Sequence, residues 1–574
     1  TDFAMLAGAS DLPDRVLRLL SSRAVAPGDL AAYHGDPADG LQDPRQLPDA
    51  AVVVERMRNA RARAERILVF GDFDADGLTG LAILTRALRD LGLDAAPYVP
   101  SRHEEGHGLS LRAVEHARSE GRSLLITVDC GTSSVSEIHA AAEAGIDVIV
   151  TDHHRPPPVL PHALAIVNPH LETSAYPDAR LAGSGVAFKV AQLLWQELEG
   201  DTSRAFAYAD LALIGTIADI AALSGENRCI ARIGLPLLND HPRPGIAALL
   251  ASAGIRPGTV DGETIAFAVA PRLNAVGRVG DGTPAANLLL AETDEEAAAL
   301  AAQLESANGQ RRDMTAAALI EARIEADRDP DRGAIVVAGA WPVGVIGLVA
   351  GKLAEERRRP AVVFSTTTDP WRGSARGVEG FDLAASFAAC ADLFERYGGH
   401  AAAAGCNLRA DLLGAFLERF LALPMPQSDP VSGGATLAAP ELLVDLVLPG
   451  LEVDYRLHRE LRVLEPAGPG QPEVLLGVQD LIVTRVRAAG AGHAQLTLKR
   501  GLEVLDAIAF DRADLVELVH EGDRVDLVAR LASRTFGGFE SLQLEVRDVA
   551  PAGHLEALME RRSLGSATPA GVAG

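Results

Sequence analysis

The 574-residue sequence is poor in aromatic residues, at 4%, and in cysteine, of which there are four. Cys130, Cys229, Cys390 and Cys406 show no CxxC or Cys/His spacing, and four in a chain this long cannot build a disulfide framework. They read as reduced cytoplasmic thiols, which makes the cytoplasm the expected location. Long apolar runs are missing too. Each is broken by Gly, Asp or Arg within a few residues, so no segment can span a bilayer and no membrane partner is expected. The first thirty residues lack a basic start followed by an apolar core, so no secretion signal is expected, and the opening Thr1 implies that an initiator methionine was removed. An excess of positive charge is also absent. The net charge of −25 argues, at face value, against a nucleic-acid partner, although binding depends on a local groove rather than on the total.

What is present is an ordinary globular composition, 48% hydrophobic and 23% charged, in a chain long enough for roughly three to four domains. Residues 10–66 carry helical apolar spacing on either side of the breaker-rich stretch HGDPADGLQDPRQLP. From Ile67 short apolar strands alternate with helices: ILVF, AAPYVP, SLLITVD, IDVIVTD and LAIVNP. Apolar strands with helices between them predict a parallel sheet covered on both faces, with ligands bound outside the carboxyl ends of the strands. Residues 203–300 read as mostly helical, and 284–328 as one or two long polar-faced helices suited to joining domains. A second αβ pattern runs from AIVVAG to about Asn407. From about Pro440 short strands with Gly, Pro and Asp turns predict a small β-barrel. The tail GSATPAGVAG is low-complexity.

The strand ends carry the informative residues. ILVF runs into Asp72, Asp74 and Asp76 of GDFDADG, SLLITV into Asp129, and IDVIVT into Asp152, His153 and His154. Asp219 sits in the otherwise apolar LALIGTIADIAAL, where burial requires a partner. Clustered carboxylates repel one another, and oxygen ligands with one or two imidazoles favour Mn²⁺ or Mg²⁺. Two such ions sharing a carboxylate can activate a water and neutralise a phosphate in transit. Each piece alone has a plainer reading. DxDxDG resembles an EF-hand loop, but that loop needs Glu where Ile83 stands and comes after a helix. A haloacid-dehalogenase-type phosphatase normally has Thr or Val at the place of Asp76, and it leaves the histidines idle. Asp129 could cap a helix, a His-His pair could sit in a surface loop, and Asp219 could be a salt-bridge partner. Only the conjunction at the edge of one sheet points to metal.

GDFDADG, VDCGTSS, VTDHH and GTIADI, in that order, resemble the four motifs of the DHH phosphoesterase superfamily. PRLNAVGRVGD, RGSARG (Arg372 to Gly377) and GGHAAAAG (Gly398 to Gly405) resemble the segment before, and the signature of, the DHH-associated domain. PSRHEEGHGL, LAGSGVAFK and LEPAGPGQPE resemble segments of the superfamily's single-strand DNA exonucleases. The resemblance spans roughly residues 10–550 and implies an α/β fold. Its parts are an N-terminal helical segment (1–45), a parallel-sheet DHH domain (46–280), connecting helices (281–330), a smaller α/β DHH-associated domain (331–432), an OB-fold barrel (433–552) and a flexible tail (553–574).

Carried over, the pattern gives one metal to Asp74 and Asp129, helped by Asp72, and the other to Asp76, Asp129, His153 and Asp219. His154 would face the scissile phosphate, with Asp152 orienting the histidine pair. Arg102, Arg278, Ser374, Arg376 and His400 would hold substrate phosphates, with Arg278 and His400 on the one being cleaved. Arg372, Arg485, Arg487, Lys499 and Phe536 would contact single-stranded DNA. Three departures stand out. Phe70 occupies the place of a histidine common in relatives, His107 that of a frequent tyrosine and Ala467 that of a phenylalanine; neither of the last two is expected to touch a metal ligand.

The implied activity is two-metal hydrolysis of single-stranded DNA from the 5′ end to 5′-mononucleotides in repair and recombination. The implied enzyme is a monomer working with single-strand binding protein and recombination helicases. The alternatives are a small-substrate phosphoesterase such as a nanoRNase or nucleotide phosphatase, which needs no barrel, and a non-catalytic replication scaffold, which would not keep every acidic motif position.

Overall fold

A computed structural model of the chain describes residues 3–102, 104–330, 332–425, 442–490, 492–536 and 539–565. The tail from 566 and the expected boundary at 432/433 lie outside the described residues. The chain forms two compact units, one of residues 42–221 and 233–437, the other of residues 1–41, 222–232 and 438–574.

In the first unit β1 (Arg66–Gly71), β2 (Asp94–Tyr98), β3 (Leu124–Val128), β4 (Asp147–Thr151) and β5 (Ala165–Val167) form an all-parallel sheet in the order β2-β1-β3-β4-β5. Leu68, Phe70, Leu125, Val148 and Val150 face a core shared with the helices Leu111–Ser119 and Val135–Glu143. The helix Ala75–Asp90, buried along most of its length, packs against the helix Gly183–Glu199. Parallel register determines what happens at the carboxyl edge. Gly71, Val128 and Thr151 stand side by side, so the residue after each, Asp72, Asp129 and Asp152, leaves the sheet at the same level. The ladder even continues one step, with Asp72 N donating to Val128 O and Asp129 N to Thr151 O.

The 33-residue helix Asp294–Ala326, capped by Thr293 and acidic in its first turn, leads to a second sheet. There β6 (Ile335–Gly339) and β7 (Ala361–Ser365) are parallel, and β8 (Trp371–Arg376), β9 (Phe394–Gly399) and β10 (Ala403–Leu408) add antiparallel in the order β6-β7-β8-β10-β9. The helix Val343–Arg357 lies against β7 and β8.

In the second unit β11 (Leu446–Pro449) leads into β12 (Leu476–Ala489), β13 (His493–Arg500), β14 (Glu503–Ala509), β15 (Arg524–Phe536) and β16 (Phe539–Pro551). β15 pairs back on β12 and closes a five-stranded barrel. Residues 1–41 cluster with the barrel unit. Val16, Leu17, Leu19 and Leu20 of the helix Asp14–Ser22 enter the same core as Leu448, Leu457, Leu476 and Leu527. A nine-residue amphipathic helix cannot bury that face alone. Arg23 ties its end to Asp445 through two 2.9 Å contacts in a buried ion pair. Arg228, fully buried, donates to the carbonyls of Val463, Glu465 and Pro466 and lies 4.2 Å from the centre of the Tyr33 ring. No helix among the described residues is long and apolar enough to cross a membrane.

Candidate active site

The carboxyl edge of the first sheet gathers six carboxylates and two imidazoles. Asp74 caps the helix Ala75–Asp90, accepting from Asp76 N and Gly77 N at 3.1 Å. Asp76, one residue inside that helix, accepts from Gly183 N at 2.7 Å and Ser184 N at 2.9 Å, the start of the neighbouring helix. Two helix N-termini thus hold these anions in place. Asp129 has φ 61°, a left-handed conformation that turns its carboxylate over the edge. Gly183 is required beside it, because a Cβ there would stand 2.5 Å from Asp129 Cβ. Asp219 is not inside an apolar helix, as its sequence context implied. It is the C-cap of the helix Ala209–Ala218, with its side chain 35% exposed, and the negative end of a helix is a poor place for a carboxylate without a cation.

His153 Nε2 lies 3.1 Å from Asp129 Oδ1, 3.8 Å from Asp219 Oδ2 and 4.0 Å from Asp76 Oδ2. Both Nε2 and Asp129 Oδ1 are buried and make no hydrogen bond. Such orphaned polar atoms are costly unless something sits between them. Ligand atoms of Asp76, His153 and Asp219 lie within 4.8 Å of one another, as do those of Asp129, His153 and His154, and oxygens of Asp72, Asp74 and Asp129 form a further cluster of the same span. The donor set, carboxylates with one imidazole, fits Mn²⁺ or Mg²⁺.

The protonation pattern has the same cause. Asp74 is pushed up to about 6 by burial and then by the charges of Asp72 and Asp76. Asp219 rises to about 8 by burial and the charges of Asp76 and Asp74, and Asp129 is raised well above the carboxylate range, mostly by burial. Burial lowers His153 and keeps it neutral. His154 is raised to about 9, chiefly by its 2.8 Å bond from Nδ1 to Asp152. Burial alone would raise Asp152, but that bond and those from the backbone N–H groups of His154 and Thr132 hold it at about 2. Asp152 therefore faces the histidines and stays out of the metal clusters.

These shifts predict a pH-dependent response to chelation. Asp74, Asp129 and Asp219 bind protons more tightly folded than unfolded, so their stabilisation is complete below about pH 4 and is lost as pH climbs through the folded values. His154 acts in the same direction between its ordinary value and about 9, and His153 is neutral throughout that range. Between about pH 6.5 and 8.5 the chelated protein should melt progressively earlier, and the rise in Tm on adding Mn²⁺ should widen. Scanning fluorimetry with chelator and with Mn²⁺ measures this; a metal-induced rise that is flat or shrinks over that range contradicts it.

Beside the acidic edge lies a basic one. Arg102 is close enough to Arg278 and Arg376 to depress their proton affinity. Arg278 is lowered to about 9 by burial and then by Arg102, Arg311 and Arg376. None of Arg102, Arg278 and Arg376 has an ion-pair partner among the described residues. Arg278 Nη1 donates to Gly344 O, Arg376 Nη1 to Ala375 O, and the Arg102 guanidinium lies 4.8 Å from the Phe73 ring centre. Ser374 and Arg376 share one face of β8 with the exposed Arg372. A Cβ at Gly347, in the first turns of the helix Val343–Arg357, would lie 3.0 Å from Ser374 Oγ and 3.4 Å from Arg376 Nη2. His400, in the β9–β10 hairpin, stacks toward His154 with ring centres 6.4 Å apart.

Arg485 and Arg487 of β12 and Lys499 of β13 are exposed on the outer face of the barrel, with Arg487 bonded to Gln495. Phe536, the fifth residue expected to contact DNA, is the last residue of β15. It stands beyond that strand's pairing with β12, and its side chain lies outside the described residues. Two contacts have no signal in the sequence. Asn274 Oδ1 accepts from Ala75 N at the first turn behind Asp74. Arg311 adds to the basic cluster from the long helix, which the sequence reads only as polar-faced and suited to joining domains. The expectation for His107 is corrected: it does touch a proposed ligand, with Nδ1 3.1 Å from Asp72 Oδ2.

The DHH family N-terminal domain matches residues 66–216, the DHHA1 domain 331–423 and the RecJ OB domain 444–548. The single-stranded-DNA-specific exonuclease RecJ of Bacillus subtilis is 35% identical over 527 residues, 90% of this chain, which spans 65% of that protein's length. RecJ of Salmonella typhimurium is 33% identical over 94% of this chain and 96% of its own. The crystal structure of Thermus thermophilus RecJ with Mn²⁺ superposes with a TM-score of 0.77 at 29% identity, covering 98% of this chain and 82% of that one. With a DHH sheet edge, a DHH-associated sheet and an OB barrel in that order, the chain belongs to the RecJ family of single-stranded-DNA-specific exonucleases.

Proposed function

We propose that the chain removes 5′-mononucleotides one at a time from the 5′ end of single-stranded DNA, using two Mn²⁺ or Mg²⁺ ions. The observation that carries this reading is the unpaired His153 Nε2 with carboxylate oxygens of Asp129, Asp219 and Asp76 all within 4.0 Å. Asp74 and Asp129, with Asp72, would hold one ion, and Asp76, Asp129, His153 and Asp219 the other. Two bound divalent ions supply a nucleophile at neutral pH and offset charge on the non-bridging oxygens.

The protein's own groups do the rest. His154, cationic at neutral pH and held by Asp152, presents positive charge toward the scissile phosphate, with His400 beside it. Arg102, Arg278, Ser374 and Arg376, at the N-terminal end of the helix Val343–Arg357, form an anion site suited to a terminal 5′-phosphate. An anchored 5′ terminus beside the metal clusters places the first internucleotide phosphate at the reacting centre, which gives the polarity. Departure of the 3′ oxygen then frees that nucleotide with its own 5′-phosphate and leaves a new 5′-phosphate on the shortened strand. The same reading takes the enzyme to be a cytoplasmic monomer that works with single-strand binding protein and recombination helicases in repair, as family membership supports.

The barrel separates this function from that of a small-substrate phosphoesterase. Deleting it would strip Arg228 of its carbonyl partners, so surface substitutions are the cleaner test. The pair Arg485→Ala and Lys499→Ala should lower affinity for a long single strand about tenfold, flatten its salt dependence and leave dinucleotide hydrolysis unchanged. Equal losses on both substrates, measured by fluorescence anisotropy and product release, would remove the barrel from substrate binding.

A further inference from the structure

Phe70, on β1 four residues before Asp74, is fully buried and stacks on Tyr98 with ring centres 5.7 Å apart. It can offer the first metal cluster nothing. The neighbouring loop, described over residues 99–102 and 104–110, supplies an imidazole by another route. Its base is stapled by Glu105, which accepts from Ser101 N, Tyr98 Oη and Ser110 Oγ. Its tip turns through Gly106 (φ 80°) and Gly108 (φ 83°), left-handed positions that hold His107 between them. There His107 Nδ1 meets Asp72 Oδ2 at 3.1 Å, while Asp72 Oδ1 accepts from Phe73 N at 2.8 Å. An ionised carboxylate only accepts, so Nδ1 carries the proton and donates it, and that nitrogen cannot also ligate a metal. The His107 ring packs on Phe73 with centres 4.5 Å apart, and Arg102 from the same loop lies over that ring too.

We propose that His107 is a positioning residue for the first metal. By donating to Asp72 it fixes that carboxylate beside Asp74 and Asp129, in place of the ligand that Phe70 cannot provide. Carboxylate–imidazole pairs of this kind orient a metal ligand and hold its lone pairs in place. The contact also secures the loop that carries Arg102, so the metal and phosphate sides of the site share one support.

The inference rests on the two-metal reading and is tested by Mn²⁺ titration of the metal-free full-length protein, monitored by calorimetry and by the spin-resonance signal of unbound Mn²⁺. Wild type should bind two ions. His107→Ala should weaken one of the two steps about tenfold and leave the other unchanged. His107→Asn, whose amide can reach Asp72 from nearly the same place as Nδ1, should restore most of the loss. Unchanged titrations of His107→Ala overturn the inference while leaving the two-metal reading intact, and so does an Asn variant as weak as the Ala variant, because that result makes the imidazole itself a ligand. A wild type that binds no second ion would instead defeat the two-metal reading.

Discussion

Replacing Asp129 by Asn is expected to lower the rate of nucleotide release by at least about 10³-fold, because about 4 kcal/mol or more of charge stabilisation goes with the shared ligand of both metal clusters. Asparagine is the right probe. It tolerates the φ of 61° that Asp129 adopts and keeps its volume against Gly183, so the fold has no reason to fail. The variant should also carry a thermodynamic signature. Burial and the charges of Asp76, Asp74 and Asp72 make an ionised Asp129 costly in the metal-free protein, and Asn cannot ionise. Metal-free Tm should therefore hold or rise, while the stabilisation by Mn²⁺ largely disappears and single-strand binding survives. A variant that keeps more than a tenth of wild-type activity would mean that Asp129 is not shared between the ions.

The second large effect is expected at Arg376. Its guanidinium is half-buried, lacks an acidic partner among the described residues and adjoins Ser374, Arg278 and the first turns of a helix. If it holds a terminal phosphate, Arg376→Ala removes a charge-assisted bond worth roughly 2–3 kcal/mol, or about 30–150-fold in kcat/KM. The loss should fall on 5′-phosphorylated strands and spare strands ending in a 5′-hydroxyl, so that the preference between them collapses. Relief of crowding at Arg278 should keep the variant at least as stable as wild type. Rates of the first cleavage on the two strand types decide the matter, since every later cleavage starts from a 5′-phosphate, and an equal loss on both would place Arg376 elsewhere on the strand.

Whether a residue's place is legible in the sequence depends on the kind of regularity it obeys. Asp72, Asp129 and Asp152 are visible because parallel strands of period two end at one level, so a carboxylate after each strand must join the others. The barrel is visible through its turn residues. Asp219 is found by its chemistry but misplaced, since nothing in an apolar helical run marks the last residue as the cap. His107 lies in a loop, where no period relates position to neighbours, and its contact with Asp72 depends on two left-handed glycines. Arg311 is one of several charged residues along a helix whose pattern does not single it out, so only the tertiary fold distinguishes it. The pairing of the first forty-one residues with the barrel depends on a core assembled from distant segments, which local pattern does not encode.

Hydrolysis of single-stranded DNA from its 5′ end at a two-metal site is decided by incubating a long 5′-phosphorylated single strand, labelled at either end, with the protein and Mn²⁺, beside a dinucleotide. Immediate release of the 5′ label as a mononucleotide, with the 3′ label retained until late and all release stopped by chelator, is the predicted result. Release of the 3′ label first, or cleavage of the dinucleotide alone, would contradict it.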